Sequence, residues 1–249
     1  MAPLYRTAAA FWLAGLFGLQ SVAAAGTKYR FELVEVKEDA YLIAKLARNG
    51  KITAKTNTVE KDTDLLAALK GKIKTDSDAA EATCSTLVTE DLKKVFHVTF
   101  EYTESPDYPK LVEDTLKAGL ADFEETYPAD TEAWKKVWKK TNAPGVLHLL
   151  EATSTKIACV IANCVQSPAV DTYAKSKQET KTTALLFCEL SPAATEERPV
   201  FSEEYFKELI ARKDELSSMT EDDLTSSANV AVPSILTAGL VAILAAISA

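Results

Sequence analysis

Histidine, glycosylation sequons and basic excess are what this chain has least of. Only two histidines, His97 and His148, occur in 249 residues, which leaves little material for an imidazole-based metal site. There is no Asn-x-Ser/Thr triplet, so N-glycosylation is not expected. No serine stands in a Gly-x-Ser-x-Gly turn, which removes one common setting for a nucleophile. The 28 Lys and Arg are outnumbered by 36 Asp and Glu. A chain of that balance is a poor match for nucleic acid or anionic lipid, because phosphates need clustered positive charge.

What is present begins with two apolar ends. Arg6 precedes the apolar run Ala8 to Leu19 and the small residues Ala23-Ala24-Ala25, the layout of a secretory signal peptide cleaved after Ala25. Its core of roughly 12 residues is short of the ~20 that a spanning helix needs. At the other end, Val230 to Ala249 carries no charge and no Lys/Arg-rich tail follows it. That pattern is expected of a removable glycosylphosphatidylinositol signal more than of a stop-transfer helix. The small triplet Ser226-Ser227-Ala228 makes Ser226 the expected attachment residue, with Ser227 as its neighbour alternative. The usual polar spacer is nearly absent after Ser226. Attachment at Ser217 or Ser218 would restore it, but sets Met219 where a small residue is preferred. A C-terminal transmembrane helix, softened by Pro233 and Ser234, is the competing reading, and either places the middle of the chain outside the cell.

The expected division is therefore 1–25 as a removed signal, 26–213 as one ectodomain, 214–226 as a membrane-proximal stalk and 227–249 as a removed propeptide. Roughly 200 residues are enough for one sizeable core. Without Arg6 the basic residues fall from 28 to 27 against 36 acidic ones, a balance of −9. The lysines Lys135, Lys136, Lys139 and Lys140 read as the solvated face of a helix, not as a phosphate site. Cys84, Cys159, Cys164 and Cys188 are an even set in a secreted chain, so two disulfides are expected, with all three pairings open to spacing alone.

Along the chain, Tyr29 to Val36 reads as a strand and Glu38 to Leu46 as a helix closed by Asn49-Gly50. Asp64 to Lys70 and Ser77 to Lys94 read as helices, the second capped by Asp76 or Ser77 and carrying Cys84. Val95 to Thr103 alternates as a half-buried strand, with Phe96, Val98, Phe100 and Tyr102 inward and His97 on the polar side. Val112, Leu116, Leu120 and Phe123 mark a helix, and Asp130 caps another whose Trp134, Val137 and Trp138 form a core stripe. Asn142-Ala143-Pro144-Gly145 reads as a turn, Lys156 to Val165 and Thr182 to Leu190 as buried strands, and Gln166 to Lys181 as an exposed connection. Ser202 caps a last helix that buries Tyr205, Phe206, Leu209 and Ile210. Helices before and after strands imply an α+β or layered α/β/α domain.

Ser154-Thr155-Lys156-Ile157-Ala158-Cys159, Cys164, and Cys188-Glu189-Leu190-Ser191-Pro192 resemble the end of a CAP domain, the superfamily of cysteine-rich secretory proteins, antigen 5 and pathogenesis-related type 1 proteins. With the signal peptide, the Pro199-Val200-Phe201-Ser202-Glu203-Glu204-Tyr205-Phe206 segment and the Ser226 to Ser234 tail, nearly the whole chain resembles the SAG family, GPI-anchored surface antigens of Eimeria parasites described as CAP-like. The resemblance implies a three-layer α/β/α sandwich with a mainly antiparallel central sheet. It also implies display on the outer leaflet of the plasma membrane and contact with host cells or antibodies. It further implies the pairing Cys84–Cys159 and Cys164–Cys188.

Many CAP domains hold two histidines and two acidic residues in a cleft, some with a divalent metal. Here His97 reads as a surface histidine, and His148, although it precedes Glu151, is displaced from the family position, which falls near Gly145. No metal ligand set, catalytic residue or cofactor is therefore expected. The pairs Glu124-Glu125, Glu196-Glu197 and Asp222-Asp223 read as solubilising surface. The sequence thus predicts a non-catalytic surface antigen. Its alternatives are a CAP-type protein binding a lipid, a sterol or a divalent metal, and a cryptic hydrolase.

Overall fold

The computed structural model describes residues 28–73, 75, 83–167 and 180–225. The signal cleavage at Ala25 and the anchor candidates Ser226 and Ser227 lie outside them. The β-branched runs do become the centre of the fold: β4 (Lys156–Ser167) and β5 (Thr180–Ser191) pair antiparallel along their lengths. β1 (Lys28–Glu35) flanks β4 and β3 (Phe96–Glu101) flanks β5, both antiparallel, giving the order β1-β4-β5-β3. β2 (Glu60–Lys61) adds a short parallel pairing to the start of β4. The molecule is α+β with a mainly antiparallel sheet of five strands.

Alternation sends β4 and β5 side chains to two separate cores. Ile157, Cys159 and Ile161 join the larger one, built with α1 (Glu38–Asn49), α4 (Tyr108–Ala121), α5 (Thr131–Trp138), α6 (Ala143–Leu150) and α7 (Glu203–Ala211). Ala158, Val160, Ala162 and Cys164 join the smaller one, beneath α2 (Thr63–Lys72) and the short α3 (Glu90–Lys93). Helices thus lie on both faces of the sheet, but unequally. On the thick side α4 and α6 approach so closely that a Cβ on Gly119 would stand 2.3 Å from Val146 Cγ2, so only glycine fits that crossing.

The helix starts follow their caps. Asp62, Asp107, Asp130 and Ser202 each accept a backbone N–H from the first turn of α2, α4, α5 and α7, which satisfies donors that the helix itself leaves unpaired. The expected helix from Ser77 to Lys94 is corrected from Thr83 onward, the part before it, with the cap candidates Asp76 and Ser77, lying outside the described residues. Residues 83–88 form a turn, Thr89 caps only the four residues of α3, and Cys84 sits on the turn. Hydroxyls explain the difference: Thr86 Oγ1 accepts from Thr83 N at 2.7 Å and donates to Thr83 O at 2.9 Å, local bonds that compete with a helical ladder. Asn142 to Gly145 is likewise no free turn but the opening of α6. There Asp122 reaches across to accept from Asn142 N and Ala143 N at 2.8 and 2.9 Å.

The segment read as a stalk is docked on the domain. Leu216, in a 3-10 turn at Leu216–Ser218, is 1 % exposed and Met219 is 7 % exposed. Glu113 of α4 accepts from Leu216 N at 2.8 Å, and Lys51 N donates to Asp223 O at 3.1 Å. Burial of two apolar side chains and satisfied backbone groups outweighs the polar composition that suggested a stalk. The folded unit therefore runs on through α8 (Asp222–Thr225). Ile210, expected inside α7, is instead 39 % exposed, one position past the stripe that ends at Leu209.

Candidate functional site

Both disulfide partners differ from the expected ones. The bonds are Cys84–Cys164 and Cys159–Cys188, with Cα separations of 5.8 and 4.1 Å. Parity is the reason. Cys159 and Cys164 are five positions apart on one strand, so they point to opposite faces of the sheet. Cys188 is the register partner of Cys159 and shares its face, whereas Cys164 faces the thin side, where the Cys84 turn lies. No cysteine among the four is free.

The two histidines occupy different environments. His148, on α6, is buried edge-on against Trp138 with ring centroids 5.2 Å apart. Burial, with His97 and Lys94 nearby, pulls its pKa down to about 4, so it stays neutral at physiological pH. Glu151 does not partner it: its carboxylate accepts from Thr153 N and Thr153 Oγ1, at 3.1 and 2.8 Å. His97 is half-buried on β3, and its Nδ1 lies 3.0 Å from Val95 O. A carbonyl only accepts, so Nδ1 carries a proton and, in the neutral ring, Nε2 is left as an acceptor. Among the described residues no group of three His, Cys, Asp or Glu could hold a metal ion.

His97 borders a concavity of about 780 Å³. This groove lies on the thin side of the sheet, where α2 covers only part of the strands. Its floor comes from Tyr29 of β1, Thr183 and Leu185 of β5, and His97 and Thr99 of β3. The turn carrying Thr83, Cys84 and Ser85 forms one wall and the α5–α6 junction at Thr141, Pro144 and Gly145 another. The Cys84–Cys164 bond fastens the first wall to the floor. Gly145, near which the resemblance placed a family histidine, has open space around its Cβ direction.

The remaining sequence candidates are structural. Lys135 pairs with Glu132 at 2.7 Å on α5, and Lys140, just past the end of α5, pairs with Glu124 at 3.1 Å. Trp134 and Trp138 are buried, and Trp138 Nε1 donates to Arg198 O at 3.0 Å. Asp223 accepts from Thr220 N at 2.8 Å, while Glu124, Glu125 and Glu197 sit on tight turns with positive φ. Ser217 lies within the docked 3-10 turn.

Sequence reasoning missed Arg48. It is 0 % exposed and donates to Leu149 O at 2.6 Å, Glu151 O at 2.9 Å and Asn57 O at 3.1 Å. Its signal was positional: Arg48 follows Tyr41 and Ala44 at helical spacing, continuing the inward stripe of α1.

No family model matches the chain, and no curated protein matches it. Neither comparison supports the wider CAP relationship. Among solved structures, the crystal structure of the Eimeria tenella surface antigen protein SAG19 is similar at 20 % identity, covering 74 % of this chain and 98 % of that one with a TM-score of 0.42, a superposition too loose to transfer function.

Proposed function

We infer that this chain is a non-catalytic surface antigen, an α+β domain held on the outer leaflet of the plasma membrane by a glycolipid and exposed to host cells and antibodies. The observation that carries the reading is the use of all four cysteines in two disulfides, which belongs to an oxidising, extracellular setting. The apolar ends and the SAG resemblance add the anchor and the display. The docking of 214–225 favours Ser226 over Ser217 as the attachment residue, because attachment at Ser217 would discard Met219 and α8, which pack on the domain. The test is phospholipase C treatment of intact cells. Release of the protein into the medium is expected. Retention, with a control anchored protein released, would overturn the anchor.

A further inference from the structure

We propose that the groove on the thin side of the sheet is a saccharide-binding site for a neutral or singly charged glycan. The host-facing setting rests on the function proposed above, but the site itself rests on the chemistry of its lining. Thr99, Thr141 and Thr183 border the groove, and their hydroxyls make no hydrogen bond to other described residues. Each can donate and accept, as sugar hydroxyls do. His97 adds an acceptor whose tautomer is fixed by Val95 O. Tyr29 and Leu185 supply apolar surface for the C–H face of a pyranose ring.

Charge narrows the class further. No carboxylate among the described residues lines the groove, so none of them would hold an ammonium group or a divalent cation. The one lysine among its described lining residues, Lys93, pairs with Glu90 at 2.7 Å in an exposed position. Such pairs are weak, so Lys93 can turn to a single acidic sugar. A polysulfated chain would meet a protein of net charge −8, which disfavours it. An acyl chain would cover the three threonine hydroxyls without replacing their water, leaving polar groups dry and unpaired. A saccharide replaces those bonds.

The groove is also prepared and well placed. Its volume of about 780 Å³ lies within the roughly 300–1,000 Å³ of small-molecule sites. Thr83 Oγ1 and Ser85 Oγ are 2.9 Å apart, and the disulfide at Cys84 pins the wall they stand on, so little ordering is left to binding. Its floor runs along β4 from the level of Val160, opposite Phe187 and so His97, to that of Cys164 and Gln166, the partners of Thr183 and Tyr29. Thr225, where the described chain ends, lies beside Glu60, the register partner of Lys156. At ~3.3 Å per strand residue the two ends of β4 are roughly 36 Å apart. A domain tethered just beyond Thr225 would present the Tyr29 and Thr183 end of the groove away from the membrane.

The full chain, purified in a polyoxyethylene detergent, should be titrated with lactose, N-acetyllactosamine and sialyllactose, with heparin and octanoate as contrasting probes. Saturable binding of at least one of the three sugars is expected. Both the Thr99→Val/Thr183→Val pair and His97→Phe should weaken it at least ~10-fold, with melting temperature and thiol content unchanged. The proposal is overturned if none of the three sugars binds, if the variants bind as tightly as the parent, or if heparin or octanoate takes the site in their place. Phospholipase C release does not depend on these side chains, so failure of the site and failure of the anchored reading are separable.

Discussion

Arg48 is the residue on which the α1 end of the domain converges. Its guanidinium closes three backbone carbonyls, while Tyr205 Oη donates to its own carbonyl at 2.6 Å. Burial holds the Arg48 pKa below its usual value, with Tyr205 and Glu151 opposing that shift. Replacing it by methionine fills the space but leaves three acceptors without a donor. Arg48→Met should therefore lower the free energy of urea unfolding by about 2–4 kcal/mol. His148 makes a pH prediction. Its folded pKa of about 4 lies below the ordinary histidine value of 6.5, so between those values the unfolded chain binds a proton that the folded chain refuses. Stability is complete above pH 6.5 and is lost as pH falls toward 4, on the order of 2–3 kcal/mol from this residue. Urea unfolding at pH 7 and 4.5 measures it, and His148→Phe, which keeps the ring against Trp138, should flatten the difference.

Elements differ in how plainly the sequence announces them. The β4 and β5 runs, the alternation of β3 and the Asp130 cap of α5 are local patterns, and each is present where that pattern puts it. The opening of α6 depends on Asp122, twenty residues away, and the turn at Cys84 depends on a bond to Cys164. Neither lies in a local window. Disulfide pairing needed the register of β4 against β5, which residue spacing does not provide, although parity alone already sets Cys159 and Cys164 on opposite faces. The pairing can be counted. In oxidised, denatured protein, Cys84→Ser with Cys164→Ser should leave no thiol, whereas Cys84→Ser with Cys159→Ser should strand both partners. Loss of the Cys84–Cys164 bond should also cost about 2–4 kcal/mol of stability. The docked C-terminal segment makes a companion prediction: ending the chain at Ser217 removes Met219 from its contact with Gly50, and should lower stability by about 1–3 kcal/mol in thermal melts.

At the scale of the whole molecule, two ends with different roles emerge. Around the C-terminus of α1, Arg212 donates to Leu46 O, Ala47 O and Gly50 O at 3.1–3.2 Å, and Lys51 pairs with Asp214 at 3.1 Å. These contacts fix the segment that leads to the anchor candidates, so the domain would stand in a set orientation instead of swinging on a tether. The opposite end carries the outer halves of β4 and β5, with the Tyr29 and Thr183 end of the groove. The sequence made the polar face of β3 legible through His97 and Thr99, but not its exposure. The groove exists because α2 covers only part of that sheet face, a tertiary outcome. If the proposed anchor is attached just after α8, the mass of the C-terminal peptide of protein isolated from the cell surface will report it. A glycolipid-derived mass on a peptide that retains Met219 to Thr225 and ends at Ser226 is the predicted result. A peptide ending at Ser217, or an unmodified chain continuing to Ala249, would contradict it.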